Sequence, residues 1–162
     1  MLIIPKPYRR GLQWCVDYRR LNNGTMMNQQ PLTLIIQLRD RMHGASICTK
    51  IDLNAGFHLI WVKEGDKWKA TFHTRYGLYE YTVMPFGLAN ATATIHDSME
   101  TIFRDMLNWE LVIYMEDFLI YSETDEEHTQ IVLEVFWRLK ENYLAIAPYK
   151  WNWHVSWVEF LE

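Results

Sequence analysis

Two periods of apolar and polar residues organise this chain. Between Ser46 and Leu53 (SICTKIDL), Ile47, Thr49, Ile51 and Leu53 fall on one side and Cys48, Lys50 and Asp52 on the other. That two-residue alternation predicts a strand with an acid near its end. Phe57–Val62 and Lys69–Thr74 read as paired strands around the polar turn KEGDK, and Arg75-Tyr76-Gly77 as a turn before a strand over Leu78–Val83. Leu111–Tyr114 and Phe118–Tyr121 are β-prone runs that predict a hairpin, with further strands near Leu144–Ala147 and Val155–Leu161. Helical spacing governs three other stretches. Pro31–His43 opens on proline, stops before Gly44 and places Ile35, Leu38 and Met42 on one face. Asn90 can cap a helix to about Leu107, with Ile95, Met99, Ile102, Phe103 and Met106 on its buried face. Thr124 and Glu127 form a capping box for a helix to about Asn142, with Ile131, Val135 and Leu139 buried. Helices mixed with hairpin-linked strands give an α+β fold, an antiparallel sheet backed by helices.

Composition narrows the class. A chain of 162 residues suits one domain, and 49% apolar with 22% charged residues is globular. Aromatics reach 15%, with 8 Trp, which implies a large aromatic core or a surface that meets a partner. Trp61, Trp151, Trp153 and Trp157 can stack on bases or pack in a core or between domains. The net charge of −4 argues mildly against a nucleic-acid binder, although Lys6, Arg9, Arg10, Arg19 and Arg20 cluster near the start. Cys15 and Cys48 show neither metal spacing nor a disulfide framework, which fits a reducing compartment. No apolar run reaches the roughly 18 residues of a membrane helix, and MLIIP is too short for a signal peptide. An intracellular chain, cytoplasmic or nuclear and without a membrane partner, is expected. The closing VEFLE reads as a strand cut short, as in a piece of something longer.

The candidate chemistry lies in three carboxylates. Glu116 and Asp117 sit side by side at the hairpin tip, and Asp52 ends its own strand. If that strand pairs beside the hairpin, all three converge. Converging carboxylates are costly unless they hold a cation. Mg²⁺ takes oxygen ligands and fills its remaining positions with water and substrate phosphates. Two such ions can align an attacking hydroxyl and a leaving pyrophosphate. The alternative is an ordinary acidic hairpin turn.

VDYRRLN (Val16–Asn22), KIDLNAGFH (Lys50–His58), WKATFHTRYGLYEYTVMPFGLANA (Trp68–Ala91) and YMEDFLIYS (Tyr114–Ser122) occur in the order and at the spacing of one family. Together with EEHTQIVLEVFWRLKENYLAIAPYK (Glu126–Lys150), they make the chain resemble the reverse transcriptase of gypsy-type LTR retrotransposons over nearly all its length. The resemblance implies fingers and palm with a ferredoxin-like palm sheet. Residues 1–45 and 58–84 would be fingers-like and 46–57 and 85–162 palm-like, with thumb, connection and RNase H absent. It implies an RNA-directed DNA polymerase that adds deoxynucleotides to a primer 3′-OH. The implied cofactor is a pair of Mg²⁺ ions, with Mn²⁺ as an alternative. The implied partners are an RNA or DNA template with its primer, deoxynucleoside triphosphates and the remainder of a polyprotein.

By the same resemblance Asp52, Glu116 and Asp117 are the catalytic acids and metal ligands, with the Leu53 carbonyl as an extra ligand. Tyr114 and Met115 complete the Tyr-x-Asp-Asp motif. Phe57 matches the bulky residue that blocks a ribose 2′-OH, a selection by clash. Phe86 and Gly87 match the loop that packs on the incoming nucleotide, and Lys150 a lysine near the triphosphate. From the residues alone, Phe57 is also an ordinary core aromatic and Lys150 an ordinary surface charge.

Departures from the pattern fall on the chemistry. Glu116 stands where an aspartate is expected. Its extra methylene moves the oxygens by about an ångström, a misplacement that costs on the order of 100-fold in rate. Gln13 stands where an arginine clamps the triphosphate, and Leu12 where a tryptophan precedes it. Glutamine cannot supply that charge-assisted fork. Thr92 replaces a proline, Ile95 and His96 a Phe-Gln pair, and Trp151 a cysteine. Three readings follow: a degenerate or partial polymerase domain, a non-catalytic remnant that binds nucleic acid or protein, and an unrelated metal-dependent nuclease.

Overall fold

The computed structural model describes residues 2–5, 12–28, 42, 44–107 and 109–160. Its elements are β1 (Leu2–Pro5), β2 (Leu12–Cys15), α1 (Arg19–Asn23), β3 (Ile47–Asp52), β4 (Thr71–Thr74), β5 (Gly77–Glu80), α2 (Ala91–Phe103), β6 (Leu111–Tyr114), β7 (Asp117–Ser122), α3 (Asp125–Glu141) and β8 (Asn152–Val155). Three 3₁₀ turns, Gly56–Leu59, Lys67–Ala70 and Pro148–Lys150, join them. The chain divides into two compact units, Met1–Gln29 with Phe57–Ala93, and Gln30–Gly56 with Thr94–Glu162. Apart from Met42, the helix expected over Pro31–His43 lies outside the described residues, as do the basic residues Lys6, Arg9 and Arg10.

The second unit is built on a four-stranded antiparallel sheet in the order β6-β7-β3-β8. The register pairs Thr49 with Ile120, Ile51 with Phe118 and Ile113 with Phe118, so these side chains share one face. All are buried, and the Phe103 ring of α2 meets Phe118 edge-on at 5.4 Å. Helix α3 covers the same face: its buried His128 bonds Thr49 and Ser122. Ile131, Val135 and Leu139 are buried as the helical spacing predicts, and Thr124 Oγ1 accepts from Glu127 N–H as the capping box predicts. Arg138 of α3 bonds Asp105 and the Ile102 carbonyl, tying α3 to the end of α2. Cys48, Leu119, Tyr121 and Val112 point to the opposite face, where Met42, Ala45, Val158 and Phe160 pack on them.

Several boundaries differ from expectation. Helix α2 stops at Phe103, four residues early. Of the strand expected over Val155–Leu161, residues 156–160 form none; the strand is β8, which ends at Val155 and pairs with β3. Residues 144–147 form no strand but lie along the end of β3 through one bridge, Leu53 to Ile146, and two backbone bonds. Trp61, Trp153 and Trp157 are exposed, so the core reading fails for them; Trp151 and Trp153 stack with Phe136.

In the first unit β1 pairs with β2 and β4 with β5. Neither β1, β2 nor α1 is evident in the apolar pattern. The expected pairing of Phe57–Val62 with Lys69–Thr74 is wrong. Residues 57–59 close a 3₁₀ turn, and the chain after it pairs with residues 82–84 through Val62 N–H to Thr82 O and Met84 N–H to Ile60 O. Strand β4 turns straight back at Arg75-Tyr76 into β5. Local alternation sets which face a residue takes but not which segment it pairs with.

Candidate active site

The antiparallel register places Asp52, at the end of β3, directly across from Asp117, at the start of β7. Positions 48, 50 and 52 alternate with the buried Thr49 and Ile51, so both carboxylates stand on the face opposite the helices. Lys50 stands on that face too. At the tip of the β6–β7 hairpin, Met115 takes a left-handed conformation, φ +55°. Such a conformation in a non-glycine residue is strained and is held by its surroundings. Here the hold is visible: Leu53 N–H donates to the Glu116 carbonyl at 3.0 Å, fastening the tip to the end of β3.

Glu116 occupies a specific space. A Cβ built on the buried Gly56 would lie 2.9 Å from Glu116 Cγ and 3.1 Å from Glu116 Oε1. The missing Cβ therefore makes the seat of this side chain. Lys150, on the Pro148–Lys150 turn, bonds Asp52 Oδ1 through Nζ. Lys150 is thus a paired, largely buried cation and not a solvated surface charge. Burial pushes the Asp117 carboxyl above its usual range, and Asp52 adds to the rise, while Lys50 and Lys150 oppose it. Two facing carboxylates of this kind need positive charge, and their oxygen-only donor set is that of a hard divalent ion. Among the described residues no three acidic, histidine or cysteine side chains gather into one metal-holding cluster, so the register brings Asp52 and Asp117 together without the expected convergence of Glu116 on them.

The first unit holds the remaining predicted residues it contains. Phe57 follows Gly56 in the chain, and its ring lies 5.1 Å from that of Phe86; His58 meets the same ring edge-on at 4.9 Å. Gly87 has φ +95°, a conformation that glycine alone adopts freely. The loop is clamped by Asn22, whose amide donates to the Gly87 carbonyl at 2.8 Å and accepts from Ala89 N–H at 2.9 Å. Tyr18, one helical turn before Asn22, is buried near Gly87, and its hydroxyl donates to the Ala70 carbonyl at 3.2 Å. Burial pushes the Tyr18 phenol up to about 12. Gln13 lies in β2 across from Ile4. Tyr114 pairs with Asp117 across the hairpin, half-buried like Met115. Sequence reasoning missed Gly56, Lys50, Tyr18 and Asn22 as supporting residues. The last two lie within the VDYRRLN motif, but nothing in the motif says which of its side chains reach a loop 65 residues on.

The family model described as reverse transcriptase (RNA-dependent DNA polymerase) matches residues 4–161. The chain belongs to the reverse transcriptase family. Its match to the Tf2-3 transposon polyprotein of Schizosaccharomyces pombe (strain 972 / ATCC 24843) is 38% identical over 162 residues. That match covers 99% of this chain and 12% of the polyprotein. The Tf2-7 polyprotein of the same organism is 37% identical over the same span. The gypsy-type resemblance is thereby borne out, and this reverse transcriptase segment corresponds to only about an eighth of the relatives it matches. Among solved structures, a foamy viral protease–reverse transcriptase in complex with ds DNA aligns with TM-score 0.89 at 21% identity, over 98% of this chain and 28% of that one. A second foamy viral protease–reverse transcriptase, in complex with an RNA/DNA hybrid, aligns with TM-score 0.82 at 20% identity, over 93% of this chain and 20% of that one. These bear out the α+β reverse transcriptase fold. No helix among the described residues is long and apolar enough to cross a membrane.

Proposed function

We propose that this chain carries the nucleotidyl-transfer acids and part of the nucleotide-binding surface of an RNA-directed DNA polymerase. Residues 1–45 and 58–84 would serve as fingers and residues 46–57 and 85–162 as palm. The observation that carries the reading is the Asp52–Asp117 pair, set in register at a hairpin tip on the face the helices leave open. Asp52 and Asp117 would hold two Mg²⁺ ions, with Mn²⁺ as a substitute and the Leu53 carbonyl as a further ligand, and Glu116 would join them on leaving its seat against Gly56. The ions, when bound, supply the charge that favours ionisation of a primer 3′-OH and that neutralises a departing pyrophosphate.

The chain's own residues do the rest. The Met115 turn and the Leu53–Glu116 bond fix the height of the acids. Phe57, braced by Phe86, presents a ring that excludes a 2′-hydroxyl and so selects deoxynucleotides. Gly87, free of a side chain and held by Asn22, lets backbone approach a nucleotide closely. Tyr114 and Met115 would contact the nucleotide from the hairpin and Lys150 would serve its phosphates, while Gln13 stands in the position of the arginine that the resemblance assigns to them. The substrates are deoxynucleoside triphosphates and a primer on an RNA or DNA template. The remaining polyprotein domains are the partners.

A second reading is a nucleic-acid- or protein-binding remnant, favoured by Glu116 in an aspartate position with its carboxylate seated against Gly56. Primer extension on an RNA template with Mg²⁺ separates the two, comparing the chain with its Glu116→Asp variant and with Asp52→Asn. Extension that Glu116→Asp raises by about 10- to 100-fold and Asp52→Asn abolishes is the expected outcome. Salt-sensitive primer–template binding with no extension by either the parent or Glu116→Asp would favour the remnant.

A further inference from the structure

The segment around the Pro148–Lys150 turn grips Asp52 twice. Ala147 N–H donates to the Asp52 carbonyl at 2.9 Å, and Lys150 Nζ donates to its carboxylate. The two side chains of the ion pair are 17% and 13% exposed. A pair so far withdrawn from water is costly to break from one side, because the remaining charge is left uncompensated. Asp117 faces the same carboxylate, so the acid pair as a whole depends on the cations beside it. Lys50 is committed elsewhere: its Nζ donates to the Glu159 carbonyl at 3.0 Å and lies 5.7 Å from the Phe160 ring centre. Lys150 is the last residue of its turn, and its backbone N–H is bonded to Ala147 O. Its four-carbon stem can therefore swing while the backbone that holds Asp52 stays in place.

We infer that the Lys150 ammonium is the resident cation of the Asp52 carboxylate, and that a divalent ion binds at the Asp52–Asp117 pair by displacing it. The inference rests on the metal reading proposed above and adds what that reading lacks, the state of the acids before metal arrives. Binding is an exchange: one cation leaves the Asp52 carboxylate as the other enters. Its affinity is then lower than the acids alone would give, and the palm stays folded without metal.

The test is titration with Mn²⁺ in the absence of nucleotide, with the free ion read by electron paramagnetic resonance, on the parent chain and on Lys150→Gln. The variant is expected to bind Mn²⁺ about tenfold more tightly, the size of an ordinary coupling between two ligands of one site. Without metal it is expected to melt below the parent, and saturating Mn²⁺ to raise its melting temperature by more than it raises the parent's. Equal or weaker binding by Lys150→Gln overturns the exchange and leaves the metal reading standing. Binding by neither chain overturns both. A measurement on the parent alone guards against a variant that fails to fold. With its lysines ¹³C-methylated, Mg²⁺ is expected to move the Lys150 resonance toward those of exposed lysines, and a resonance that stays in place overturns the exchange.

Discussion

At Gly56 the absence of one methyl group decides where a carboxylate can lie. A Cβ there would come within 2.9 Å of both Glu116 Cγ and Ile95 Cδ1. Ile95 is fully buried and cannot yield, whereas Glu116 is half-buried at a hairpin tip and can. Gly56→Ala is therefore expected to push Glu116 out of its seat and to cost roughly 1–3 kcal/mol, the range of an overpacked site. Adding Glu116→Ala removes the Cγ contact and leaves the one with Ile95 Cδ1, so it should recover only part of that loss. Urea unfolding of the two single variants and the double variant forms the cycle. Strictly additive losses would show that Gly56 does not act through Glu116. The longer side chain at position 116 reads in sequence as a lesion; the structure adds that it has a place of its own.

Among the elements, the helix ends divide into those the sequence specifies and those packing imposes. Thr124 opens α3 by accepting from Glu127 N–H, a local bond between residues three apart, and so it is legible. The other end falls where the sequence places it, at about Asn142, but the backbone conformation that closes it is not evident in the sequence. Asn142 caps it, Leu144 N–H reaches back to Leu139 O, and Tyr143 between them adopts φ +56°. A left-handed non-glycine residue costs about 1–2 kcal/mol. Tyr143 is 91% exposed, so its ring has little packing to lose. Tyr143→Gly is expected to stabilise the chain by about 1 kcal/mol, a rise in melting temperature of about 2–4 °C by differential scanning calorimetry. An unchanged or lower melting temperature would mean that the tyrosine makes contacts that offset the strain.

Across the second unit one buried imidazole joins a helix to three strands. Ser122 Oγ donates to the Thr124 carbonyl, so it accepts from His128 Nδ1–H. Thr49 Oγ1 accepts from His154 N–H and has its own proton for His128 Nε2. The network thus places every proton and leaves His128 neutral. Burial pulls its pKa below the ordinary 6.5; the neighbouring His154 adds to the fall, and Asp125, bonded to His154 Nε2, opposes it. The native state then binds fewer protons than the unfolded chain as pH falls below about 6.5, so stability falls with pH in that window. Replacing His128 with glutamine is expected to flatten this part of the profile, measured as unfolding free energy between pH 7 and pH 5. A slope that survives the substitution would assign the effect to other groups.

The sequence by itself determined the residues whose partners are close in the chain or whose face follows from alternation. The inward set Thr49, Ile51 and Leu53, the hairpin with its acidic tip, the Thr124 cap and the buried stripe of α3 all follow from local geometry and burial. The family was legible for the same reason, since its motifs are short runs. Only the tertiary structure decided which segments pair. It set residues 60–62 against 82–84, placed β8 beside β3, and put Asp117 across from Asp52, 65 positions earlier in the chain. It also decided that Lys150 meets Asp52, that Asn22 clamps Gly87 and that Gly56 seats Glu116. The physical reason is the same throughout: alternation and helical spacing fix which side of an element a residue faces, while its partner is fixed by how distant segments pack together, which no short window contains.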